Sequence, residues 1–414
     1  MDLVVRNAKV RGQEKLQDIG VADGKIAAIA GEIRGRGTEE IDAGGRLTSP
    51  AFVNPHVHLD KALLGERIFG AVFKDFDTAV RLTNDFKRNY TVEDVKNRAC
   101  RVLESAATFG TTVTVTCVDI GTMGGLTPVK GMLEAKKAVE DIMELHVVAF
   151  PQEGIVRDPG TEELLYQAME LGADVAGGLP WYEMTDEDAR KHIDIVFTLA
   201  KKYDSNILML VDDTDDPNSR SLEYLAVKTM REGYRGRVTA CHCGAMAAYN
   251  DTYAAKVIRL VKEADITICS NSHITLWVSG LLDRQPVRRG IARVKELLAA
   301  DVNMACGQDD VNDPYYPFGK PDPLEIAFMM AHVAHLREPQ ELETAFDMVT
   351  GNAAKSVGLK DYGMAVGNRA DLVIIDAPSV HEALRWQADR AYVIKGGRVI
   401  SKSGSKKELF RGPR

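Results

Sequence analysis

The chain has 414 residues, of which 45% are hydrophobic and 27% are charged, values that exclude extended disorder. Its length suits one large barrel with an appended domain, or two to three domains. The 52 Lys and Arg residues against 60 Asp and Glu residues give a net charge of -8, which argues against nucleic acid or an anionic membrane as the main partner.

Short alternating runs mark both ends of the chain. Residues 1–50 contain "LVVRNAKV" and "DIGVADGKIAAIA", and residues 360–414 contain "ADLVIIDA" and "RAYVIKGGRVI", with turn signals such as Asp23-Gly24 and Gly396-Gly397. We predict that these two sets of strands pair into one small β domain. Charges interrupt every apolar run near the N-terminus, so no signal peptide is predicted, and no apolar stretch is long enough to span a bilayer.

Residues 51–359 alternate between apolar runs and amphipathic helical segments. The runs are "LTSPAFVNPHVHLD" (47–60), "TTVTVTCVD" (111–119), "LHVVAFPQ" (145–152), "ADVAGGLP" (173–180), "NILMLVDD" (206–213), "RVTACHC" (237–243), "ITICSN" (266–271) and "VNMACGQDD" (302–310). Eight continuous apolar strands that alternate with helices are typical of a (β/α)₈ barrel, whose strands are buried on both faces.

The six cysteines lie mostly inside these apolar runs, at positions 100, 117, 241, 243, 269 and 306. We interpret them as reduced packing residues of a cytoplasmic protein. Strand alternation would send the thiols of Cys241 and Cys243 to the face opposite His242, so the Cys-His-Cys run is not interpreted as a metal site.

In such barrels the active site lies at the carboxyl ends of the strands. Polar residues at these ends are His56, His58, Gln152, Glu153, Asp212, Asp213, His242, Asp309 and Asp310. His56 and His58 carry the strongest signal, because alternation points both imidazoles to one side of the strand. A divalent cation would satisfy both buried rings at once. For His242 alone, core packing and catalysis are equally good explanations, and acidic pairs at strand ends are more often helix caps.

Several stretches resemble the amidohydrolase superfamily, in particular its cytosine deaminase-like branch. They are "FVNPHVHLDKALL", "VVAFPQEGI", "RVTACHCGAMAAYNDTYAAKVIRLVK", "RRGIARVKELLAADVNMACGQDDVNDPYYPFG" and "GNAAKSVGLKDYGMAVGNRADLVIIDA". The resemblance covers essentially the whole chain. It implies a distorted (β/α)₈ TIM barrel with a small β-sandwich domain built from both termini, and a homo-oligomer. The implied activity is hydrolysis of a C–N bond, other than a peptide bond, in a small nitrogen heterocycle.

The resemblance also implies site roles. His56, His58 and Asp309 would bind one divalent metal, zinc or iron, and His242 would hydrogen-bond the metal-bound water. Gln152 would grip the amide edge of the substrate, and Tyr315 would take the place of a tryptophan beside it. The fourth strand ends without a lysine, which argues against a two-metal site bridged by a carboxylated lysine.

These residue types suit one reaction. A bound cation lowers the pKa of water from about 15.7 to about 7. Asp309 can accept a proton as hydroxide attacks an sp² carbon, while His242 orients the water. A further carboxylic acid must protonate the substrate. Relatives carry a glutamate for this task in a His-x-Asp-Glu motif, and alignment of "LVDDTDDPNSR" places Asp213 at the glutamate.

The same alignment places Leu210 at the third metal-ligating histidine. Three explanations follow. A metal binds through His56, His58, Asp309 and water, helped by an inward movement of His242 or by Asp212. Alternatively, catalysis is metal-free and relies on His242 and the carboxylates. In the third explanation the protein is a non-catalytic ligand binder.

We predict a deaminase-like amidohydrolase whose catalytic residues are His242, Asp213 and Asp309. Trp181 and Lys61 are further candidates for the pocket wall. Packing explains Trp181 and Tyr315 at least as well, and a solvated surface charge explains Lys61 at least as well.

Overall fold

The computed structural model describes residues 1–68 and 75–411. Residues 69–74 of the predicted barrel and 412–414 of the predicted β domain lie outside the described residues. Within the described part, the strands in chain order are β1 (Leu3–Val10), β2 (Gln17–Ala22), β3 (Lys25–Ala30), β4 (Glu39–Asp42), β5 (Leu47–Pro50), β6 (Phe52–Val57), β7 (Thr111–Asp119), β8 (Glu144–Phe150), β9 (Val175–Gly178), β10 (Asn206–Val211), β11 (Val238–His242), β12 (Thr267–Cys269), β13 (Met304–Ala305), β14 (Leu372–Ile375), β15 (Arg390–Lys395) and β16 (Arg398–Lys402).

The α-helices of the described residues are α1 (Phe76–Lys87), α2 (Val92–Thr108), α3 (Thr127–Ala138), α4 (Thr161–Leu171), α5 (Asp186–Tyr203), α6 (Ser221–Arg231), α7 (Asp251–Glu263), α8 (Ser272–Val278), α9 (Val294–Ala299), α10 (Pro323–Val333), α11 (Pro339–Asp347), α12 (Gly351–Val357) and α13 (Val380–Trp386). Short 3₁₀ helices span Leu64–Arg67, Pro180–Tyr182 and Gly244–Ala248. No helix in the described ranges combines the length and the apolar character that a membrane crossing requires.

Helix α5 shows how the sequence sets helix ends. The side chain of Thr185 accepts a hydrogen bond from the backbone N–H of Asp188, which caps the first turn. Acidic residues occupy that first turn, and Lys201 and Lys202 occupy the last, so both ends complement the helix dipole. The chain then leaves the helix at Asp204, which has the left-handed conformation.

The described residues separate into two compact units. One contains Met1–Ala51, Ala106–Thr112 and Asp361–Arg414, and the other contains Phe52–Ser105 and Val113–Lys360. The first unit therefore includes residues 106–112, a segment that the sequence analysis assigned to the barrel.

The unit built from the termini holds one connected sheet in the order β16-β15-β14-β5-β1-β2-β3, with β4 also paired to β1. The first half of β1 pairs with β2 and β4, and its last two residues pair with β5. Both halves of the sheet contribute to one core, which includes Leu3, Val5, Ile19, Val21, Ile26, Ile41, Leu372, Ile374 and Ile394. This confirms a small β-sandwich formed from both ends of the chain.

The other unit holds eight neighbouring strands in sequence order, β6 to β13. The pairs of neighbouring strands are parallel wherever their register is defined, from β7 to β13. Every residue of β6 and of β7 is buried, as expected for strands that are covered on both faces. A parallel bridge between Val57 and Asp309 joins the last strand to the first. The predicted (β/α)₈ barrel is confirmed.

Candidate active site

Two histidines at the end of β6 converge on one carboxylate. His56 Nε2 lies 3.0 Å from Asp309 Oδ1, and His58 Nε2 lies 3.5 Å from the same oxygen. All three side chains are buried. Burial lowers the pKa of both imidazoles, that of His58 well below its ordinary value. Both rings are therefore neutral at pH 7, which is the form that binds metals.

Barrel closure holds Asp309 in place. Its backbone N–H donates to the carbonyl of His56 at 2.9 Å, and its own carbonyl accepts from the N–H of His58 at 2.8 Å. Asp309 has a φ of 66°, a strained value for a non-glycine residue and one that recurs at functional sites. Burial alone would raise the pKa of this carboxyl, but the neighbouring imidazoles of His242 and His56, the latter also through its hydrogen bond, hold the pKa below the ordinary value.

His242 faces the other oxygen of this carboxylate, since its Nε2 lies 3.6 Å from Asp309 Oδ2. Asn271 sets the proton position on the ring. The Asn271 Oδ1 accepts the backbone N–H of Gly307 at 3.1 Å, so its NH₂ group must face His242 Nε2, which lies 3.2 Å away. Nε2 is then the acceptor of this hydrogen bond, and Nδ1 is the ring nitrogen left to donate.

Asp213 lies on the far side of His242. Its Oδ1 is 3.3 Å from His242 Nδ1. Burial raises the pKa of the Asp213 carboxyl, and the charge of Asp309 raises it further against the opposing effect of His242. A carboxyl with a raised pKa keeps its proton to a higher pH than an ordinary aspartic acid does, which suits the acid predicted from the sequence.

Asp212 has a structural task, so the suggestion that it replaces the missing histidine ligand is wrong. Its Oδ1 accepts from the backbone N–H of Ser221 and from the Ser221 and Ser219 hydroxyls, and its Oδ2 accepts from the N–H of Leu222 and from the hydroxyl of Tyr249. These donors lie at and around the start of α6. The carboxylate is thus occupied by backbone N–H and hydroxyl donors.

Leu210 pairs in register with Cys241 of the neighbouring strand, so both side chains point to the same side of the sheet. Cys241 hydrogen-bonds Cys269, and the nearby charge of Asp309 contributes to raising the pKa of the Cys241 thiol, after the larger effect of burial. Leu210 therefore faces the barrel interior and is only 6% exposed.

The argument from alternation that separated the cysteines from His242 is wrong for Cys241. His242 has a φ of 68° and Cys243 a φ of 55°, which breaks the strand geometry at this point. Cys241 hydrogen-bonds Cys269, and Asn271 contacts both Cys269 and His242. The side chains of Cys241 and His242 therefore lie on the same side of the strand. All the same, Cys241 and Cys243 are fully buried with raised thiol pKa values, as packing residues are.

Lys61 is buried, so its interpretation as a solvated surface charge is wrong. The side chain is only 1% exposed, and its ammonium contacts Gln152 Oε1 at 2.8 Å and Asp119 Oδ1 at 3.0 Å. The ring centroid of Tyr315 lies 5.0 Å from the same nitrogen. The two predicted substrate-binding residues, Gln152 and Tyr315, are thereby linked through a lysine.

Two further residues of this region were absent from the sequence predictions. Asp119, the last residue of β7, binds Lys61 through one oxygen and Lys87 through the other, at 2.7 Å. Its place at a strand end was a usable signal. Asn271 ends the apolar run "ITICSN" and so had the same signal, but only its position between Gly307 and His242 reveals its role.

The aromatic wall beside Lys61 includes a residue that the sequence analysis did not name. Tyr315 lies 5.6 Å from Phe76 between ring centroids, and Phe76 lies 5.1 Å from Trp181. The indole Nε1 of Trp181 and the hydroxyl of Tyr315 are buried without a hydrogen-bond partner among the described residues. Both candidate wall residues thus belong to one cluster.

Three groups of side chains in the described residues could hold a metal ion, with donor atoms within 4.8 Å of one another. They are His56 with His58 and Cys117, His56 with His242 and Asp309, and His58 with Asp60 and Asp119. Lys61 and Lys87 already neutralise Asp119, which disfavours the third group. Neutral imidazoles around a buried carboxylate are a suitable donor set for a divalent cation, so the residues at Asp309 fit one.

Comparisons with known proteins agree with this architecture. The model of the amidohydrolase family matches residues 63–401. The chain is 32% identical to N-isopropylammelide isopropyl amidohydrolase of Pseudomonas sp. strain ADP, over 97% of both chains. It is also 32% identical to pterin deaminase of Rhizobium rhizogenes, over 93% of this chain and 88% of the relative.

A solved structure is similarly close. The structure of 5-methylcytosine deaminase from Klebsiella pneumoniae liganded with 5-fluorocytosine has a TM-score of 0.92 and 36% sequence identity, with 98% of this chain and 99% of that chain covered. These relatives do not favour a non-catalytic ligand binder. The chain belongs to the amidohydrolase family and is an enzyme that hydrolyses carbon–nitrogen bonds other than peptide bonds.

Proposed function

We propose that the enzyme removes ammonia or an amine from a small nitrogen heterocycle by attack of water on the ring carbon that carries the amino group. The observation that carries this proposal is the convergence of three imidazoles, those of His56, His58 and His242, on the two oxygens of Asp309. The relatives named above act on rings of this class, which supports the same substrate class here.

His56, His58 and Asp309 would hold one divalent cation, zinc or iron. When bound, such a cation makes water acidic enough to supply hydroxide at neutral pH. The two oxygens of Asp309 have different neighbours, since Oδ1 faces the histidine pair and Oδ2 faces His242. Oδ2 is therefore the atom that can accept the proton of the attacking water.

His242 would orient this water. Its Nε2 carries the lone pair, because Asn271 donates a hydrogen bond to that atom. Nε2 has a single lone pair, so the water takes the place of the Asn271 amide when it donates a hydrogen bond to Nε2 and is held against the ring carbon. The Nδ1–H of the ring faces Asp213, whose Oδ1 lies 3.3 Å from that nitrogen.

Asp213 would supply the proton that the reaction needs at nitrogen. Burial favours its protonated form, and its position beside His242 places that proton at the site. The reaction balances when water adds at the ring carbon. Asp213 protonates the adjacent ring nitrogen, and Asp309 passes the proton that it took from the water to the amino group, which leaves as ammonia or an amine. The second proton of the water returns to Asp213 as the oxygen becomes a carbonyl. Gln152 and Tyr315 would bind the ring.

Ammonia release from a panel of rings tests the function. Cytosine, 5-methylcytosine, pterin and ammelide would be supplied to the purified enzyme, with Asp213→Asn as the impaired variant. Asp301→Asn, which changes a 95% exposed carboxylate, is the matched control. We expect turnover of at least one ring by the native enzyme and by the control. Stabilisation by a ring without any turnover would instead support a non-catalytic binder.

Metal content tests the cofactor. Elemental analysis of active enzyme should find zinc or iron, and a chelator should remove activity that re-addition of the metal restores. Activity in protein that lacks both metals before and after chelation would favour acid-base catalysis by His242 and the carboxylates without a cation.

A cytoplasmic location and a homo-oligomeric state complete the proposal. The six cysteines are free thiols, and all except Cys100 are buried, which suits a reducing compartment. Light scattering of the purified protein would measure the number of subunits, and fractionation of the source cells would test the location.

A further inference from the structure

The ammonium group of Lys61 touches the amide that is proposed to bind the substrate. We propose that Lys61 is a positioning residue: by binding the oxygen of the Gln152 amide it turns the NH₂ group towards the ring, and so selects substrates that present a hydrogen-bond acceptor there, above all a ring carbonyl oxygen. This inference rests on the proposed function, in which Gln152 binds the substrate.

The orientation of the amide follows from the chemistry of the lysine. An ammonium group has three donors and no acceptor, so the atom of Gln152 that lies 2.8 Å from Lys61 Nζ must be the oxygen. The NH₂ group lies at the other end of the planar amide. A flipped amide would instead place the NH₂ group against the ammonium group of Lys61, with two donors face to face.

The NH₂ group of Gln152 has no hydrogen-bond acceptor among the described residues. Gln152 is 3% exposed, and its Nε2 is absent from the buried atoms that are both sealed from solvent and unpartnered. The nitrogen therefore borders accessible space. A nearly buried donor in this position gains most from a ligand that brings an acceptor, and a ligand with a donor would leave two donors opposed.

Lys61 is held rigidly enough to perform this task. Its second partner is Asp119 Oδ1 at 3.0 Å, and the Asp119 backbone N–H donates to Asp60 Oδ2 at 3.2 Å. Arg98 Nη1 donates to the carbonyls of Asp60 and Ala62, the residues on either side of Lys61, at 2.7 and 2.8 Å. Both the backbone and the side chain of Lys61 are thus fixed, which leaves the Gln152 amide little freedom to turn.

The need to neutralise Asp119 does not by itself explain why a buried lysine occupies position 61. Lys87, which is also buried, pairs with Asp119 Oδ2 at 2.7 Å and with Glu153 Oε1 at 2.7 Å. One carboxylate thus binds two ammonium groups, and only that of Lys61 also contacts Gln152. Lys87 therefore provides a matched control, since its removal takes away a buried ammonium and an Asp119 ion pair but leaves the amide contact in place.

The test compares two rings that differ at one group. Cytosine carries a 2-oxo acceptor, and 2,4-diaminopyrimidine carries a 2-amino donor at the same position. Calorimetry with each ring measures the ratio of their affinities in the otherwise native enzyme, in Lys61→Met and in Lys87→Met, each carrying Asp213→Asn so that neither ring is consumed. We expect the native enzyme to favour cytosine by about 100-fold or more, because the wrong ring leaves buried donors unpaired.

In Lys61→Met the amide can rotate and offer its oxygen, so the preference should fall by about tenfold or more. Lys87→Met should keep the native preference for cytosine even if its melting temperature falls as far as that of Lys61→Met. Gln152→Glu is the second variant: Lys61 would bind one carboxylate oxygen and leave the other facing the ring, which should reverse the preference in favour of 2,4-diaminopyrimidine.

An unchanged preference in Lys61→Met, or equal losses in the two lysine variants, would overturn the inference while the proposed function stands. If Lys61→Met does not fold, Gln152→Glu decides, and a retained preference for cytosine would overturn the inference. Failure of the native enzyme to bind either ring would overturn the selection for a ring carbonyl, and absence of turnover across the wider panel would separately contradict the proposed function.

Discussion

The first and fifth strands of the barrel, β6 and β10, are both buried apolar strands that lead into polar residues, yet those residues have different tasks. At the end of β6, His56 and His58 both face Asp309. After β10, Asp212 is bound by donors around the start of α6, and Asp213 alone faces His242. The difference teaches that a polar side chain at a strand end is free for chemistry only where no backbone N–H binds it first.

The largest effect should come from the carboxylate that the first strand uses. Asp309→Asn removes a proton acceptor and a proposed metal ligand while it preserves size. We expect kcat/KM to fall by about 10²- to 10⁴-fold with little change in the far-ultraviolet circular dichroism spectrum. Steady-state assay of ammonia release measures this loss. A decrease of less than threefold would remove Asp309 from the reaction.

The fifth strand offers the converse test. Asp212→Ala should reduce the free energy of unfolding by about 2–4 kcal/mol, because it leaves the N–H groups of Ser221 and Leu222 without their acceptor. Urea unfolding measures this change, and Asp216→Ala serves as the control on the exposed part of the same loop. If Asp212→Ala melted like the native protein but lost its metal, the carboxylate would belong with the ligands.

The two strands differ most at Leu210, where the fifth strand has an apolar side chain in place of a metal-binding histidine. Leu210→His should therefore give the fifth strand an imidazole, as the first strand has. An added imidazole on the interior side should tighten retention of zinc by about tenfold or more against a competing chelator. Leu210→Met, which keeps an apolar side chain of similar volume, is the control. Equal zinc affinity in both variants would show that position 210 does not reach the cation.

The smallest effect concerns Glu183, which like Asp212 is a carboxylate that accepts hydrogen bonds from backbone N–H groups. Burial would raise its pKa, but hydrogen bonds from His192 and from backbone N–H groups hold the pKa below 4.5. His192 donates from Nδ1 to Glu183 Oε1 and accepts the N–H of Leu179 at Nε2. Burial lowers the pKa of this imidazole below its ordinary value of 6.5, which Glu183 only partly opposes.

Because both pKa values are lowered in the folded protein, the free energy of unfolding should fall in acid. The unfolded chain takes up protons at His192 below pH 6.5 and at Glu183 below pH 4.5, whereas the folded chain resists both, so stability should fall as the pH drops through this range. In His192→Gln the decrease should be smaller by about 1 kcal/mol, because the imidazole is gone and Glu183 loses the hydrogen bond that lowers its pKa most. Melting temperatures between pH 7 and pH 4 measure it, with the exposed Glu187→Gln as the control. Parallel profiles for all three proteins would contradict it.

The sequence predicted the barrel because its strands are continuous apolar runs, and it predicted the histidine pair because alternation is local. The task of Asp212 was not predictable by local rules: its partners Ser221 and Leu222 lie 9 and 10 residues further along the chain, outside the spacing of an ordinary helix cap. Lys61 was misjudged for a related reason. Whether a lysine is buried depends on its counter-ion, and Asp119 lies 58 residues away.

The bridge that closes the barrel has a consequence for folding. His56 and Asp309 are 253 residues apart in the chain, and the same ladder that brings them together joins the last strand to the first. Before that ladder forms, the imidazoles have no carboxylate between them, so a nascent or partly folded chain cannot assemble the complete site. Catalytic activity in this enzyme therefore shows that the last strand of the barrel has paired with the first.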